Sequence, residues 1–313
     1  MKIIAPILVL LSLLWIYLIN PPIPPPFQSD VGIDWEGSNV IHVMYATDKF
    51  DCNIYGSIAS VLKFTKVPVW FHIGTTETNS NAIPLLSKTS RISYYKIDQN
   101  NPVFHFKNLR KRLKNIAFAW ARFILPPKLP THVKTAFYLD TDTIVSTDLS
   151  DFVGEYNRYP FIMAEELGST VKYALNQFGL KSPNFYSKYN YMYLKNSGVM
   201  LINVTKWISD NVTNRLIQYA NDMEKRIGGA EDQLVLNIFS LDNNYGMLHP
   251  AFNMGCGGVY KIINPHPKRG GIIHICGPNK WTNYLNSIPE QYGILNILSE
   301  TPSHKICNMR KLR

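Results

Sequence analysis

The feature that most constrains this chain is the segment TAFYLDTDTIV at 135–145, where an apolar run ends on paired acids. Residues 136–139 favour a strand, and Asp140 and Asp142 follow with Thr141 between them. Alternate residues of an extended segment point the same way, so both carboxylates can face one ligand. At about 5 Å and an effective dielectric near 20 they repel by about 3 kcal/mol, which a divalent cation removes. The segment therefore predicts a metal site at a strand end.

Strand and helix patterns alternate on both sides of the acid pair. Before it, strands are predicted at 40–45, 67–73 and 92–95, and helices at 54–64 and 108–124. After it, strands are predicted at 161–164, 199–202 and 272–274, and helices at 205–226 and 234–239. This alternation is typical of an α/β protein with a doubly wound parallel sheet, which binds ligands at the carboxyl ends of its strands. Neither GxGxxG nor GxxxxGK[ST] is present, so no dinucleotide fingerprint or P-loop is predicted.

The amino-terminal residues resemble a membrane anchor followed by a stalk. Residues 3–19 carry no charge, and twelve of these seventeen are Leu, Ile or Val, which is the short end of a bilayer span. No small-x-small site follows, which favours an anchor over a cleaved signal peptide. The sequence PPIPPP predicts a stiff polyproline II spacer. We expect a single-pass type II protein of the Golgi or endoplasmic reticulum, with an anchor at 1–20, a stalk at 21–37 and a lumenal catalytic domain at 38–313.

The positive net charge of the chain is compatible with a nucleic-acid partner, but no sequence motif supports one. The formal net charge is +10, which suits nucleic acid, an anionic membrane or a phosphate-bearing substrate. The basic residues are dispersed apart from 107–114 and 305–313, and no nucleic-acid motif is present. We therefore expect no nucleic-acid partner.

A histidine at another strand end is the natural third ligand for the predicted metal. His274 closes the apolar strand at 272–274, and two carboxylates with one imidazole suit Mn²⁺. Gly277 and Lys280 follow it and would approach a diphosphate. Spacing alone leaves open whether His274 meets the acids or is an ordinary core histidine.

Six segments, in order, resemble glycosyltransferase family 8, the retaining transferases that use nucleotide sugars. The segments are YATDKF at 45–50, FAWARFILP at 118–126, FYLDTDTIV at 137–145, NSGVMLINVTKW at 196–207, EDQLVLN at 231–237 and HICGPNKW at 274–281. The resemblance implies a GT-A fold, an α/β Rossmann-like doubly wound mixed sheet with flanking helices. It also implies a Mn²⁺-dependent enzyme that moves a sugar from a UDP-sugar to a glycan or glycoprotein acceptor.

The resemblance also implies roles for individual residues. Mn²⁺ would be held by Asp140, Asp142 and His274. The uridine would lie at Ala46, Thr47, Asp48 and Phe50, with Tyr55 as the alternative stacking residue. The diphosphate and sugar would be bound by Arg122, Thr141, Gly277, Lys280, Asn196, Asp232 and Gln233.

The expected chemistry is retention of configuration at the anomeric carbon. A retaining enzyme can form a covalent intermediate on a carboxylate, and Asp232 is the candidate nucleophile. We favour a same-face route instead, in which the departing diphosphate takes the acceptor proton. Gln233 then stabilises positive charge through its carbonyl oxygen, and Asp232 orients sugar hydroxyls.

The donor sugar is the least constrained expectation. The segment MAEE at 163–166 together with NSGVML resembles the animal glucoside and xyloside xylosyltransferases, which favours UDP-xylose over UDP-glucose or UDP-galactose. The aromatic region 173–193 would supply bulk beside the fifth carbon of xylose. The family commonly has Lys-Pro-Trp where this chain has Lys280-Trp281, so the loop at Lys280 lacks the proline that would pre-shape it.

Two other classes of protein share part of the pattern. LDTDTI fits the acid pair of haloacid-dehalogenase-type phosphatases, but here three predicted strands precede the pair and no later paired Asp cluster exists. A glycan-binding protein without activity on the same fold would have lost its metal triad, and every member is present.

Overall fold

The computed structural model describes residues 33–48, 50, 52–76, 90–106, 116–152, 158–177, 184–254 and 271–275. The predicted anchor at 1–20 and most of the stalk lie outside these ranges. In the described part of the chain, no helix is both long enough and apolar enough to cross a bilayer. Trp35, in the predicted stalk, contacts Trp70 edge to face at 6.3 Å between ring centroids, so the end of that segment packs on the domain.

A mixed seven-stranded sheet forms the centre of the fold, in the order β3-β2-β1-β4-β7-β6-β8. A second sheet pairs β5 with β9. The strands are β1 (Ile41–Thr47), β2 (Val69–Thr75), β3 (Ser90–Lys96), β4 (Thr135–Leu139), β5 (Thr143–Val145), β6 (Phe161–Thr170), β7 (Tyr193–Asn203), β8 (Met247–Leu248) and β9 (Ile272–His274).

The directions of the strands match the mixed sheet that the family resemblance implies. They show that the fully parallel sheet predicted from the alternation of strands and helices was wrong. Strands β3, β2, β1 and β4 are parallel, whereas β7 is antiparallel to both β4 and β6. A buried strand is apolar on both faces in either direction, so hydrophobic periodicity does not reveal the reversal. The fold is thus a Rossmann-like α/β sheet of mixed direction with flanking helices, as the GT-A resemblance implied.

Helices cover both faces of the sheet. They are α1 (Cys52–Phe64), α2 (Ala121–Ile124), α3 (Val171–Gln177), α4 (Val204–Ser209), α5 (Val212–Ile227) and α6 (Asp232–Asp242). Successive residues of β4 point into opposite cores: Phe137 lies in the apolar cluster that includes Ile58 of α1, and Tyr138 lies in the cluster that includes Leu216 of α5. This alternation follows from the two-residue period of a strand, and it encloses the sheet between two apolar layers.

Two helix predictions were wrong in extent. The predicted helix at 205–226 is two helices. Asn211 adopts a left-handed conformation with φ of 52°, which interrupts the helix between α4 and α5. In the predicted helix at 108–124, residues 108–115 lie outside the described ranges. The rest is a 3₁₀ turn, Ile116–Trp120, followed by the single turn of α2.

Candidate functional site

The acid pair occupies the turn between β4 and β5, at the carboxyl edge of the parallel strands. Asp140 N donates to Gly198 O at 2.7 Å, which ties the turn to β7. The Thr143 hydroxyl donates to Asp140 O at 2.8 Å and closes the turn on itself. The two acids differ in environment, since the Asp142 side chain is 7% exposed and that of Asp140 is 26% exposed.

His274 reaches the acids because β9 pairs with β5. Residue Thr143 lies opposite His274 in that antiparallel pair, and Ile275 N donates to Asp142 O at 2.9 Å. The His274 Nε2 atom lies 3.2 Å from Asp142 Oδ1 and 3.6 Å from Asp140 Oδ2. One ligand atom of each of the three residues lies within 4.8 Å of the others. His274 therefore belongs to the site, whereas its spacing alone allowed an ordinary core histidine.

The cluster fits a divalent cation. Asn253 Oδ1 lies 2.9 Å from His274 Nδ1, and an amide oxygen only accepts, so Nδ1 carries the proton and Nε2 presents its lone pair to the acids. Two carboxylates and a bare imidazole nitrogen form a donor set that suits such an ion. Space for the ring depends on Gly198, since a Cβ there would lie 2.0 Å from His274 Cε1.

Arg122 of α2 connects the metal cluster with the rest of the site. Its Nη2 donates to Asp140 Oδ1 at 3.0 Å, and its Nε lies 3.3 Å from Asp232 Oδ2. Its Nη1 donates to both the carbonyl and the hydroxyl of Ser197 at 2.7 Å. Burial alone would lower the pKa of Arg122, but Asp140 and its other negative neighbours outweigh it and raise that pKa above the ordinary value. A permanent positive charge is thus fixed beside the acid pair.

The side chains of Gln233 and Asn196 meet at the carboxylate of Glu166. Glu166 Oε2, on β6, accepts from Gln233 Nε2 at 2.8 Å and from Asn196 Nδ2 at 3.4 Å. Gln233 Oε1 accepts from the backbone N–H and the hydroxyl of Ser197 at 3.2 and 3.3 Å. Through Ser197 the amides join the Arg122 network.

Asp232 and Gln233 take their positions from the start of α6. Glu231 caps the helix, its side chain accepting from Leu234 N at 2.7 Å. Asn237, one turn on, donates to Gln233 O at 2.8 Å and to Lys195 O at 2.7 Å, which fixes the helix against β7. Asp232 is 4% exposed, and Gln233 beside it is half-buried.

The predicted uridine residues lie at the end of β1, which neighbours β4 in the sheet. Thr47 is buried, Ala46 is half-buried and Asp48 is exposed. Of the two candidate stacking residues, Phe50 is half-buried with its ring 6.0 Å from that of Tyr94. Tyr55 is only 3% exposed, so its ring lies in the core.

The remaining predicted donor residues are Thr141, Gly277 and Lys280. Thr141 is half-buried between the two acids. Gly277 and Lys280 lie outside the described residues.

Three functional neighbours were missed from sequence. Glu166 and Ser197 lie inside the quoted segments MAEE at 163–166 and NSGVMLINVTKW at 196–207, but no role was assigned to either residue. Asn253 directly follows the 3₁₀ turn Pro250–Phe252 and has no periodic or motif signal.

A family model described as "Glycosyl transferase family 8" matches residues 42–284 of this chain. The "Lipopolysaccharide 1,3-galactosyltransferase" of Salmonella typhimurium is 27% identical over 280 residues, covering 83% of this chain and 78% of that protein. The "Lipopolysaccharide glucosyltransferase WaaO" of Escherichia coli is 25% identical over 284 residues, covering 84% and 78%. The "Probable glycosyl transferase Gly" of Streptococcus gordonii is 24% identical over 223 residues, covering 63% of this chain and only 30% of that protein.

Solved structures share the fold. The galactosyltransferase LgtC, in complex with donor and acceptor sugar analogues, superposes with a TM-score of 0.60 at 15% identity, covering 87% of this chain and all of that one. Mouse xyloside xylosyltransferase 1 gives a TM-score of 0.56 at 13% identity, covering 80% and 100%. At these identities the likeness shows the fold alone.

Proposed function

The chain belongs to glycosyltransferase family 8 as a UDP-sugar-dependent glycosyltransferase, and on this premise we propose that it moves a hexose onto a glycan hydroxyl with retention of configuration. One observation carries the proposal. The metal cluster, the fixed charge of Arg122 and the amide of Gln233 form one connected network at the carboxyl edge of the sheet. This edge is where an open α/β sheet binds its ligand.

We propose galactose or glucose as the transferred sugar. Two relatives that align over most of both chains are named as a galactosyltransferase and a glucosyltransferase. The expected preference for xylose rested on a short motif and on aromatic bulk at 173–193. In the described part of that region, Tyr173, Tyr191 and Tyr193 are each more than half exposed, so they do not fill a buried pocket, and the buried Tyr189 belongs to the hydrophobic core.

We propose Mn²⁺ as the cation, held by Asp140, Asp142 and His274. A bound divalent cation would neutralise the negative charge of the leaving diphosphate. Arg122 adds a permanent positive charge beside the cation site, since its Nη2 donates to Asp140 Oδ1. This charge would also stabilise the negative charge of the departing diphosphate.

We propose the same-face route for transfer. Asp232, the carboxylate considered as a nucleophile, is buried and its Oδ2 lies 3.3 Å from Arg122 Nε, so it is occupied in an ion pair. The half-buried Gln233 presents an amide, which is a poor nucleophile but stabilises positive charge through its oxygen. The acceptor proton then passes to the departing diphosphate.

We also propose a class of acceptor, and we retain the location predicted from the sequence. The two named relatives support a saccharide of lipopolysaccharide type as the first acceptor to test. A membrane anchor at 3–19 and a lumenal catalytic domain in the Golgi or endoplasmic reticulum stay predictions from the sequence.

A donor screen tests the proposal. Purified protein with Mn²⁺ is incubated with UDP-galactose, UDP-glucose and UDP-xylose, and release of UDP and free sugar is followed for each. We expect a hexose donor to be hydrolysed fastest, with the sugar first released as its α-anomer. Preference for UDP-xylose would restore the earlier donor assignment, and initial release of the β-anomer would overturn retention.

A further inference from the structure

We propose that Glu166 is the positioning residue that fixes the orientation of the Gln233 amide during sugar transfer. This inference rests on the proposed function, because it assigns a partner to the group expected to face the anomeric carbon. Glu166 lies on β6, and none of the motifs that identify the family places a role on it.

The two ends of the Gln233 amide have chemically distinct partners. Its oxygen accepts from the backbone N–H of Ser197, which can only donate. Its nitrogen donates to the Glu166 carboxylate, which can only accept, at 2.8 Å. Turning the amide over would set N–H against N–H and oxygen against carboxylate. The pair of partners therefore selects one of the two orientations.

The Ser197 side of this arrangement is rigid. Arg122 Nη1 donates to the Ser197 carbonyl and hydroxyl oxygens at 2.7 Å, and Ser197 is 3% exposed. The Ser197 hydroxyl accepts from Arg122 and donates its own proton to Gln233 Oε1 at 3.3 Å. The oxygen end of the amide is thus held by a buried network, and Glu166 supplies the hold at the nitrogen end.

Glu166 orients a second amide in the same way. Asn196 Oδ1 accepts from Gly198 N at 2.8 Å, which turns Asn196 Nδ2 towards Glu166 Oε2 at 3.4 Å. One carboxylate thus receives the amino groups of both amides assigned to the donor sugar. Without it, both amides can rotate, and the carbonyl oxygen of Gln233 loses its fixed direction.

The test is a double-mutant cycle on donor hydrolysis, with water as the acceptor. Glu166→Gln keeps the side-chain shape but replaces a group that accepts at both oxygens with an amide that accepts at one end and donates at the other. We expect it to lower kcat about 10-fold or more while KM for UDP-galactose or UDP-glucose changes less than about 3-fold, because misorientation affects the transition state rather than binding. Glu165→Gln, the neighbouring carboxylate on β6, is the matched control and should leave kcat unchanged.

The second half of the cycle separates positioning from direct catalysis. If Glu166 acts through Gln233, then Glu166→Gln lowers kcat less in the Gln233→Ala background than in the wild-type protein, since coupled residues are non-additive. The loss that remains passes through Asn196, the second amide that Glu166 contacts. An equal additional loss would show that Glu166 acts directly, and a wild-type kcat in Glu166→Gln alone would also overturn the proposal.

A stability readout keeps the inference testable where turnover is too slow. Gln233→Glu sets two carboxylates together and should lower Tm, and the swapped pair Glu166→Gln with Gln233→Glu should recover it. Failure of the swap to recover Tm would show that the two side chains do not form this bond. A wild-type protein that hydrolyses no UDP-sugar would instead count against the proposed function.

Discussion

His274 Nε2 lies 3.2 Å from Asp142 Oδ1, although the two residues belong to distant parts of the chain. The contact exists because β9 pairs with β5, the strand that directly follows the acid pair. Two peripheral strands of three residues each thus assemble the candidate metal site.

Neutralising either acid of the pair should abolish transfer. Asp140→Asn and Asp142→Asn keep the side-chain size but remove charge that a divalent cation needs, so we expect at least about a 100-fold loss of activity. Turnover and thermal stability are measured together, with the exposed Asp151→Asn as the matched control. Normal turnover in either variant with an intact fold would contradict the assignment.

Removing Asn253 should weaken cation binding without touching a metal ligand. Its Oδ1 accepts from His274 Nδ1 and so directs Nε2 to the acids. We expect Asn253→Ala to lower Mn²⁺ affinity about 10- to 100-fold, the range for such supporting contacts. Binding is followed by the electron paramagnetic resonance signal of free Mn²⁺. Asn253→Asp keeps an acceptor and should restore affinity, and equal loss in both variants would argue against the orienting role.

A methyl group at position 198 should displace the histidine. A Cβ on Gly198 would lie 2.0 Å from His274 Cε1 and 2.8 Å from Asp140 Oδ2, closer than atoms approach without a shift. We expect Gly198→Ala to lose Mn²⁺ binding and donor hydrolysis together. Gly74→Ala is the control, since its added atom would meet the Ile97 side chain at 3.2 and 3.3 Å and Leu125 Cδ1 at 3.4 Å, far from the acids. Wild-type Mn²⁺ affinity in Gly198→Ala would be inconsistent with this geometry.

The sequence predicts those parts of the fold that depend on residues adjacent in the chain. The strand at 136–139 and the acids after it are set by adjacent residues, so periodicity finds them. Direction is different: β7 has the same apolar character whether it runs parallel or antiparallel to β4. The break at Asn211 is a single left-handed residue inside an otherwise helical pattern, which apolar spacing does not detect.

The candidate site shows the same division. His274 was a candidate, but its meeting with Asp142 depends on pairing between strands far apart in the chain. Glu166 reaches Gln233 because β6 lies beside β7 and α6 packs on β7 through Asn237. No spacing rule encodes that contact.

Buried histidines on β1 and β2 should make the fold sensitive to acid. His42 Nδ1 lies 3.0 Å from His72 Nε2, and both are buried among Trp70 and His132, with Arg91 stacked over Trp70. Burial, then the charge of His132, lowers the pKa of His42 to about 4. Burial, then His42, His132 and Arg91, lowers the pKa of His72 to about 2.

The sign of the effect follows from proton uptake. In the unfolded chain these imidazoles have a pKa of about 6.5, so below that pH they bind protons, whereas in the native protein they stay neutral. The free energy of unfolding therefore falls as the pH drops. At about pH 5 the loss is on the order of 1–2 kcal/mol for each imidazole. Unfolding midpoints are measured from about pH 7 to 4. His42→Gln should flatten the decline, and the exposed His105→Gln should not. Parallel profiles for all three proteins would refute the prediction.

The most direct test of the central claim is release of UDP from UDP-galactose and UDP-glucose by wild-type protein and Asp142→Asn, each with Mn²⁺ and with a chelator. We expect UDP release by the wild-type protein with Mn²⁺, none with the chelator, and none by Asp142→Asn in either condition. Equal release with the chelator, or by folded Asp142→Asn, would contradict a metal-dependent transferase centred on Asp140, Asp142 and His274.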